Sequence, residues 1–340
     1  MSSPLVSVVI LSWNSGRHID TCLEHVFAQT YTSEEVIFVD NYSSDGSLER
    51  VQMIWGDRMR IIRNPSNFGF PGGMNAGIAE SRGKYILLLN SDMFLERNFL
   101  ERAVEWFEKP DAKEAGIIGG LVYKVRDGVP TEEIDSTGWH LLPYQSVVNS
   151  KNSTEPEWVF GVAGSAPLLS RQALEGCRLP NGDYLDSTYF LYGEDVELYL
   201  RLQLMGWKCL FVPVVLGWHM GAGSVGEEAY LRKPDHLQVH AMKNQLSTIL
   251  TCYPLCLWSR MIPWTLLAQG GLIVYALTRG NVRILRNWLK AVWVTGCMSG
   301  YLYKKRRWLQ SSRRVSCRYL RSLFARQGTI ETLRLLYQKT

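Results

Sequence analysis

Four short apolar runs alternate with helix-patterned segments over the first 90 residues, and this alternation restricts the chain more than any other feature. Leu5 to Ser12 (LVSVVILS) is a β-branched run of buried-strand length, followed by a helical pattern with Ile19, Leu23, Val26 and Phe27 on one side. Glu35 to Asp40 is a second strand. It ends in the turn-rich NYSSDGS of residues 41–47, which leads into a helix around Leu48 to Ile54. Arg60 to Arg63 is a short third strand, residues 67–79 a Gly-rich loop and helix, and Lys84 to Asn90 a fourth, buried strand. A βαβαβαβ series predicts a largely parallel sheet with helices on both faces and ligand-binding groups beyond the carboxyl ends of its strands. Asp40 and the triplet Asn90, Ser91 and Asp92 each close a strand at that edge.

Beyond Pro110 the pattern becomes mixed. Gly116 to Tyr123 reads as a strand, residues 151–156 as a polar loop, and Trp158 to Leu169 as strand and turn. A helix signal returns from Gly193 to Gly206, with acidic residues in its first turn and glycine at its end. Charge then divides the chain: between His236 and Ile330 there is no Asp or Glu but fifteen Lys and Arg, while the preceding residues are net acidic. The expected division is a domain over 1–228, with halves 1–92 and 93–228, and a basic, aromatic-rich helical region over 229–340. Seven scattered cysteines with no CxxC pair fit a reducing compartment. A strand-like start without a basic leader fits a cytoplasmic body.

The motifs in order are Val6 to Asn14 (VSVVILSWN), Val39 to Ser47 (VDNYSSDGS), Asn67 to Gly77 (NFGFPGGMNAG), Leu89 to Asp92 (LNSD), Gly161 to Arg171 (GVAGSAPLLSR), Phe190 to Asp195 (FLYGED) with Arg201, Gly206 and Trp207, and His219 to Ser224 (HMGAGS). Together they resemble the inverting glycosyltransferase family 2, and within it the rhamnosyltransferase-like members that build bacterial surface polysaccharides, over roughly residues 5–225. The resemblance implies a GT-A fold, α/β and Rossmann-like, with a mostly parallel central sheet and flanking helices. It implies transfer of a sugar from a nucleotide diphosphate donor, assisted by Mg²⁺ or Mn²⁺. The half after Asp92 then shapes the acceptor side, where Trp139, Gly164 and Tyr192 are expected to line the acceptor.

Each site residue also has a plainer reading. Asp40 matches the family's nucleobase-binding Asp, whose carboxylate accepts from the imide edge of uracil or thymine; it can equally stabilise the following turn, and Asp45 is read as a helix cap. Asp92 matches the last residue of a DxD-like motif whose first acidic position is here Asn90. One carboxylate with substrate phosphates and water is enough to hold Mg²⁺, and an Asx-type turn is the alternative. His219 resembles the family's metal or diphosphate contact after the final strand, in a glycine-rich segment able to fold closely over a phosphate; alone it would be a packed imidazole. Inversion needs a carboxylate to take the acceptor's proton, a role the resemblance gives Asp195, with Glu194 orienting the acceptor or loop. Acidic residues in a first turn also simply complement the helix dipole. Asn67 and Ser91 are carried as donor contacts, and Arg201 as a salt-bridge partner of the Glu194–Asp195 helix.

From Pro254 to Leu277 apolar residues dominate, interrupted by Pro263, Gln269, Gly270 and Gly271; basic residues then alternate with Trp and Leu from Arg283 to Trp293, and KKRRW occupies 304–308. Interfacial helices on an anionic membrane surface are the preferred reading, a spanning hairpin the alternative. No nucleic-acid motif accompanies the charge, so nucleic acid is not an expected partner. The full expectation is a peripheral enzyme on the cytoplasmic membrane face moving rhamnose from dTDP-rhamnose, or another sugar from a UDP donor, onto a saccharide or lipid-linked acceptor. A non-catalytic sugar-nucleotide-binding partner protein is the other class.

Overall fold

The computed structural model describes residues 3–144, 146–221 and 233–325. The chain divides into two compact units, one formed by Met1–Trp139, Asn149–Phe190 and Trp207–Gly223, the other by His140–Val148, Leu191–Gly206 and Ser224–Thr340. The boundary expected at 228/229 lies outside the described residues.

In the first unit the alternating series forms as its pattern requires. Strands β1 (Val6–Ser12), β2 (Glu34–Asp40), β3 (Arg60–Arg63) and β4 (Tyr85–Asn90) are separated by helices α1 (Ile19–Phe27), α2 (Ser47–Trp55) and α3 (Gly69–Glu80). These four strands are mutually parallel, with β1 between β4 and β2, and the register sets Ser12 beside Asp40 and Leu11 beside Asn90. The carboxyl ends of β1, β2 and β4 therefore share one edge, which is what the alternation predicts. Val8, Ile10, Phe38, Leu87 and Leu89 are buried with Leu23 and Val26 of α1 in one core.

The sheet as a whole is mixed, not mostly parallel. After β5 (Met93–Leu95) and α4 (Phe99–Phe107) come β6 (Ala115–Arg126), β7 (Val129–Ser136), β8 (Trp139–Leu141), β9 (Val147–Asn149), β10 (Glu157–Val159), β11 (Leu168–Ser170) and α5 (Arg171–Gly176). β8 and β9 pair with each other as a separate two-stranded sheet, largely in residues 140–148 of the second unit, and the last strand of the first unit is β12 (Lys208–His219). The order across the sheet is β10-β12-β6-β11-β4-β1-β2-β3, with β5 on β12 and β7 on β6. Short β11 lies antiparallel to both β4 and β6, and β5, β7 and β10 are also antiparallel to their partners. The parallel rule holds only where a helix returns the chain over the sheet; β6 and β7 are joined by a tight turn at Asp127 and Gly128, and a hairpin can only pair antiparallel.

The second unit is helical: α6 (Glu194–Leu204), α7 (Asp235–Cys252), α8 (Leu255–Thr278), α9 (Val282–Cys297), α10 (Ser299–Ser311) and α11 (Cys317–Ser322). Val239 and Met242 of α7, Leu272 and Ala276 of α8, and Ile284 and Ala291 of α9 pack into one cluster. A polar ladder crosses the same helices: Trp288 Nε1 donates to Gln269 Oε1 at 2.8 Å, and Gln269 donates to Gln245 Oε1 at 3.0 Å. Pro263 lies inside α8, which at 24 residues is long and apolar enough to cross a membrane by length and composition alone. Cys256 and Cys317 form a disulfide that ties α8 to α11, a pairing that the scattered cysteine pattern did not suggest because 61 positions separate the two in sequence.

Candidate active site

The first unit brings four expected residues to the carboxyl edge of its sheet. Asp40, at the end of β2, is buried, and its two oxygens accept the backbone N–H of Ser43 at 3.3 and 3.2 Å. Asn90 ends β4 with its side-chain oxygen buried and unpartnered. Ser91 Oγ lies 2.8 Å from Ser15 Oγ and 3.5 Å from His18 Nε2, so His18 borders this edge although nothing in the sequence singled it out. Asp92 is buried and faces His219, with 3.4 Å between its Oδ2 and the imidazole Nε2.

Strand pairing explains that approach. β5 runs antiparallel to β12, with Trp218 opposite Phe94 and His219 opposite Met93, so the last residue of β12 falls beside the residue preceding β5. Gly217 makes the approach possible: its φ is +153°, and a Cβ there would meet the Phe94 carbonyl oxygen at 2.1 Å. The other ring nitrogen of His219 lies 3.0 Å from Asp135 Oδ2, from β7. Asp135 carried no signal in the sequence, being one acid among several in a strand with mostly exposed side chains. Burial opposes a charge on the imidazole, but the hydrogen bonds and fields of Asp135 and Asp92 outweigh it and push the pKa up to about 9. The pair of carboxylates thus demands a positive charge between them.

That demand is the test of a divalent ion here. A hard carboxylate and an imidazole whose far nitrogen is held by a second carboxylate form a suitable donor set, the far carboxylate fixing the tautomer and aiming the ligating nitrogen. Among the described residues no third His, Cys, Asp or Glu completes a ligand cluster, so substrate oxygens and water must fill the remaining positions. The glycine-rich segment after His219 lies, from Ala222 onward, outside the described residues.

Other expected contacts are engaged within the scaffold. Asn67 Oδ1 accepts from Asn41 Nδ2 at 2.9 Å and from the Gly69 N–H at 2.9 Å. Asn41 also donates to the Gly69 carbonyl and accepts from Asn64 and from the Phe68 N–H, which makes this buried amide the organiser of the loop; the sequence reading passed over it. The N-cap of α2 is Gly46, and Asp45, expected to cap, lies one residue earlier, where it accepts from Ser47 N at 3.1 Å and from Gly16 N at 2.9 Å. Trp139 Nε1 donates to Ser136 Oγ at 2.8 Å, and its backbone pairs with Gly161. Gly164 precedes Ser165, whose carbonyl accepts the Asn90 N–H at 2.9 Å, so its turn borders the end of β4.

The acidic pair belongs to the second unit. Gly193, with φ +80°, is the N-cap of α6, and Glu194 and Asp195 open the helix. Tyr192, with φ +69°, has Lys233 Nζ 3.9 Å over its ring. Asn244 of α7 donates to the carbonyls of Leu191 and Tyr192 at 2.9 and 2.7 Å and so pins the approach to the helix. Desolvation and the adjacent Asp195 push the Glu194 pKa up to about 8, and one buried Glu194 oxygen has no partner. Desolvation also raises Asp195, against the backbone N–H of Val196, which donates to its carboxylate at 2.7 Å. The environment thus raises the proton affinity of both adjacent carboxyls, the direction that suits a general acid–base role. Arg201 bonds Glu197 of its own helix, with Nε to Oε1 at 3.1 Å and Nη2 to Oε2 at 2.9 Å.

Residues 7–175 match the model of the glycosyl transferase family 2. The span includes Asp40 and Asp92 and ends before Glu194, Asp195 and His219. The chain is 33% identical over 220 residues to glycosyltransferase GlyG of Streptococcus pneumoniae, covering 62% of this chain and 68% of that one. It is 28% identical over 239 residues to the succinoglycan biosynthesis protein ExoO of Rhizobium meliloti, covering 69% and 65%. Among solved structures, the mannosyltransferase PcManGT from Pyrobaculum calidifontis, in complex with GDP-Man and Mn²⁺, superposes with a TM-score of 0.54 over 98% of this chain and 88% of its own at 17% identity, a likeness of fold. The fold is GT-A-like, a mixed sheet with flanking helices. With this degree of identity over most of GlyG, the chain belongs to glycosyl transferase family 2 and is a glycosyltransferase.

Proposed function

We propose that this glycosyltransferase inverts the anomeric centre of a sugar carried on a nucleotide diphosphate, in glycan assembly. The observation that carries the proposal is the Asp92–His219–Asp135 arrangement at the edge where the strands end, a site built to hold positive charge. Asp92 and His219 would hold Mn²⁺ or Mg²⁺, which neutralises the charge developing on the departing diphosphate. Asp40 receives the base, and Asn67, Asn90 and Ser91 border the donor. Asp195 takes the acceptor proton as the new bond forms, and Glu194 orients the acceptor, with Trp139, Gly164 and Tyr192 as its surroundings. The reading of a nucleotide-sugar donor draws on the solved neighbour, which holds GDP-Man and Mn²⁺. The rhamnosyltransferase-like motifs favour dTDP-rhamnose, with UDP-sugars second.

The acceptor is a saccharide or a lipid-linked saccharide, met by a peripheral enzyme on the cytoplasmic membrane face. Support comes from the helical unit: Leu266, Val274 and Leu277 of α8 and Leu289 and Trp293 of α9 are exposed, and Arg279 and Lys290 stand exposed beside them in sequence. Donor hydrolysis across dTDP-rhamnose, UDP-glucose, UDP-galactofuranose, UDP-GlcNAc and GDP-mannose, with Mn²⁺ and with EDTA, tests the core of the proposal. Turnover of one donor that EDTA abolishes is expected; equal turnover in EDTA refutes the assigned role of Asp92 and His219.

A further inference from the structure

The helix that presents Asp195 is fastened to the basic C-terminal segment by a buried charge cluster. Glu197 N donates to the Gly193 carbonyl at 3.0 Å, closing the helical turn that contains Glu194 and Asp195. The Glu197 side chain is fully buried. Arg201 Nη2 reaches its Oε2 at 2.9 Å, and Lys305 Nζ, from α10, reaches its Oε1 at 2.9 Å; both cations are themselves buried. Farther along α6, Tyr319 of α11 donates to Gln203, and the Arg314 N–H donates to the Leu204 carbonyl at 2.8 Å. Three ties from residues 305–319 thus run the length of the helix.

A buried ammonium is costly to desolvate, and Arg201 already neutralises Glu197 from within the same helix. The effect of Lys305 is geometric: it binds the side chain of the residue that closes the catalytic turn to a second helix. Asn244 holds the residues before that turn through the Leu191 and Tyr192 carbonyls. Between them, Asn244 and Lys305 grip the turn from both ends.

We propose that Lys305 is a positioning residue for sugar transfer, acting through Glu197 to fix the first turn of α6, so that the basic C-terminal region forms part of the catalytic unit in addition to any anchoring role. This rests on the reading of Asp195 as the base. The test uses the full chain and three variants: Lys305→Met, Leu309→Ala and Asp195→Asn. Lys305→Met leaves Glu197 paired with Arg201 and is expected to fold. Leu309, buried one turn on in α10, serves as a control that loosens the same helix without touching Glu197.

For Lys305→Met, hydrogen exchange of the amides in 193–198 is expected to accelerate at least tenfold. Hydrolysis of the donor selected by the panel should lose at least tenfold in kcat with KM within twofold. Leu309→Ala should show neither effect. Exchange and kcat unchanged in Lys305→Met, or equal losses in Leu309→Ala, overturn the positioning role. Activity retained in Asp195→Asn overturns the base assignment instead, whereas an inactive Asp195→Asn beside a fully active Lys305→Met removes only the positioning role.

Discussion

His219 Nε2 lies 3.4 Å from Asp92 Oδ2, and the two residues are 127 positions apart in the chain. The antiparallel pairing of β5 with β12 creates that proximity, and Asp135 aims the ring from its other side. Replacing His219 with Ala is expected to remove measurable Mn²⁺ binding in the presence of nucleoside diphosphate. Asp135→Asn keeps both ligands but loses the charge that orients the imidazole, so Mn²⁺ affinity should weaken by about 10- to 100-fold, the usual effect of losing such a partner. Isothermal titration checks both variants; wild-type affinity in Asp135→Asn would show that the carboxylate is not orienting a metal ligand.

Asp195→Asn removes the proposed base while retaining shape. Transfer should fall by about 10²- to 10⁴-fold, the range for losing general-base assistance, with nucleotide affinity nearly unchanged. Equilibrium binding of the nucleoside diphosphate beside steady-state turnover separates the two effects. A variant that turns over at the wild-type rate sinks the assignment.

Glu194 gives a pH prediction with a definite sign. Its pKa is pushed up to about 8 in the folded protein by desolvation and by Asp195, while the unfolded chain has the ordinary value of 4.5. Between those values the folded state binds more protons than the unfolded state, so Glu194 makes stability fall as pH rises from about 4.5 to 8. Glu194→Gln cannot ionise and should flatten that part of the urea-denaturation profile. An unchanged slope in the variant would place the titration elsewhere.

The first four strands and the helices between them were legible because each is a local pattern: an apolar run, a turn cluster, then a 3.6-residue period. Asp40, Asn90 and Asp92 followed from that pattern, since strand ends locate themselves. Asp135 did not, because its role depends on which strand pairs with β6 and on a ring arriving from β12. Asn41 was hidden for a similar reason: the four hydrogen bonds of its side chain go to residues 64–69, and only the folded loop reveals them. Antiparallel β11 was missed as a separating strand because three residues carry too little periodicity to state a direction. The pairing of Cys256 with Cys317 likewise depends on how α8 meets α11, which no spacing encodes.

Gly69 illustrates a glycine whose necessity is tertiary. It opens α3 at φ +71°, and a Cβ would lie 2.4 Å from the Phe190 carbonyl oxygen and 2.7 Å from the Phe190 Cα, while the Phe70 N–H donates to that same carbonyl at 2.7 Å. Gly69→Ala must therefore bear left-handed backbone strain of about 1–2 kcal/mol and a clash with backbone costing about 1–3 kcal/mol. Denaturation should show a loss of at least about 2 kcal/mol. A loss below about 1 kcal/mol would mean that the 184–190 segment does not hold Phe190 against α3.

The helical unit makes the last claim testable without any substrate. Trp293 is 68% exposed on α9, and Lys290 one turn before it is exposed as well, in a stretch of the chain free of acidic residues. An aromatic ring that prefers the headgroup region and a lysine worth about 1 kcal/mol near an anionic leaflet should together hold the protein on vesicles. Lys290→Gln is then expected to weaken binding to phosphatidylserine-containing vesicles by about fivefold, and the loss should shrink at high salt, where the charge is screened. Trp293→Ala should weaken binding at low and high salt alike, because burial of the ring does not depend on ionic strength. Sedimentation with vesicles at two salt concentrations distinguishes the contributions. Protein that stays in the supernatant with anionic vesicles at low salt contradicts a lipid surface as the partner of this face, and protein that pellets with its membranes at high salt until detergent is added points instead to insertion of α8.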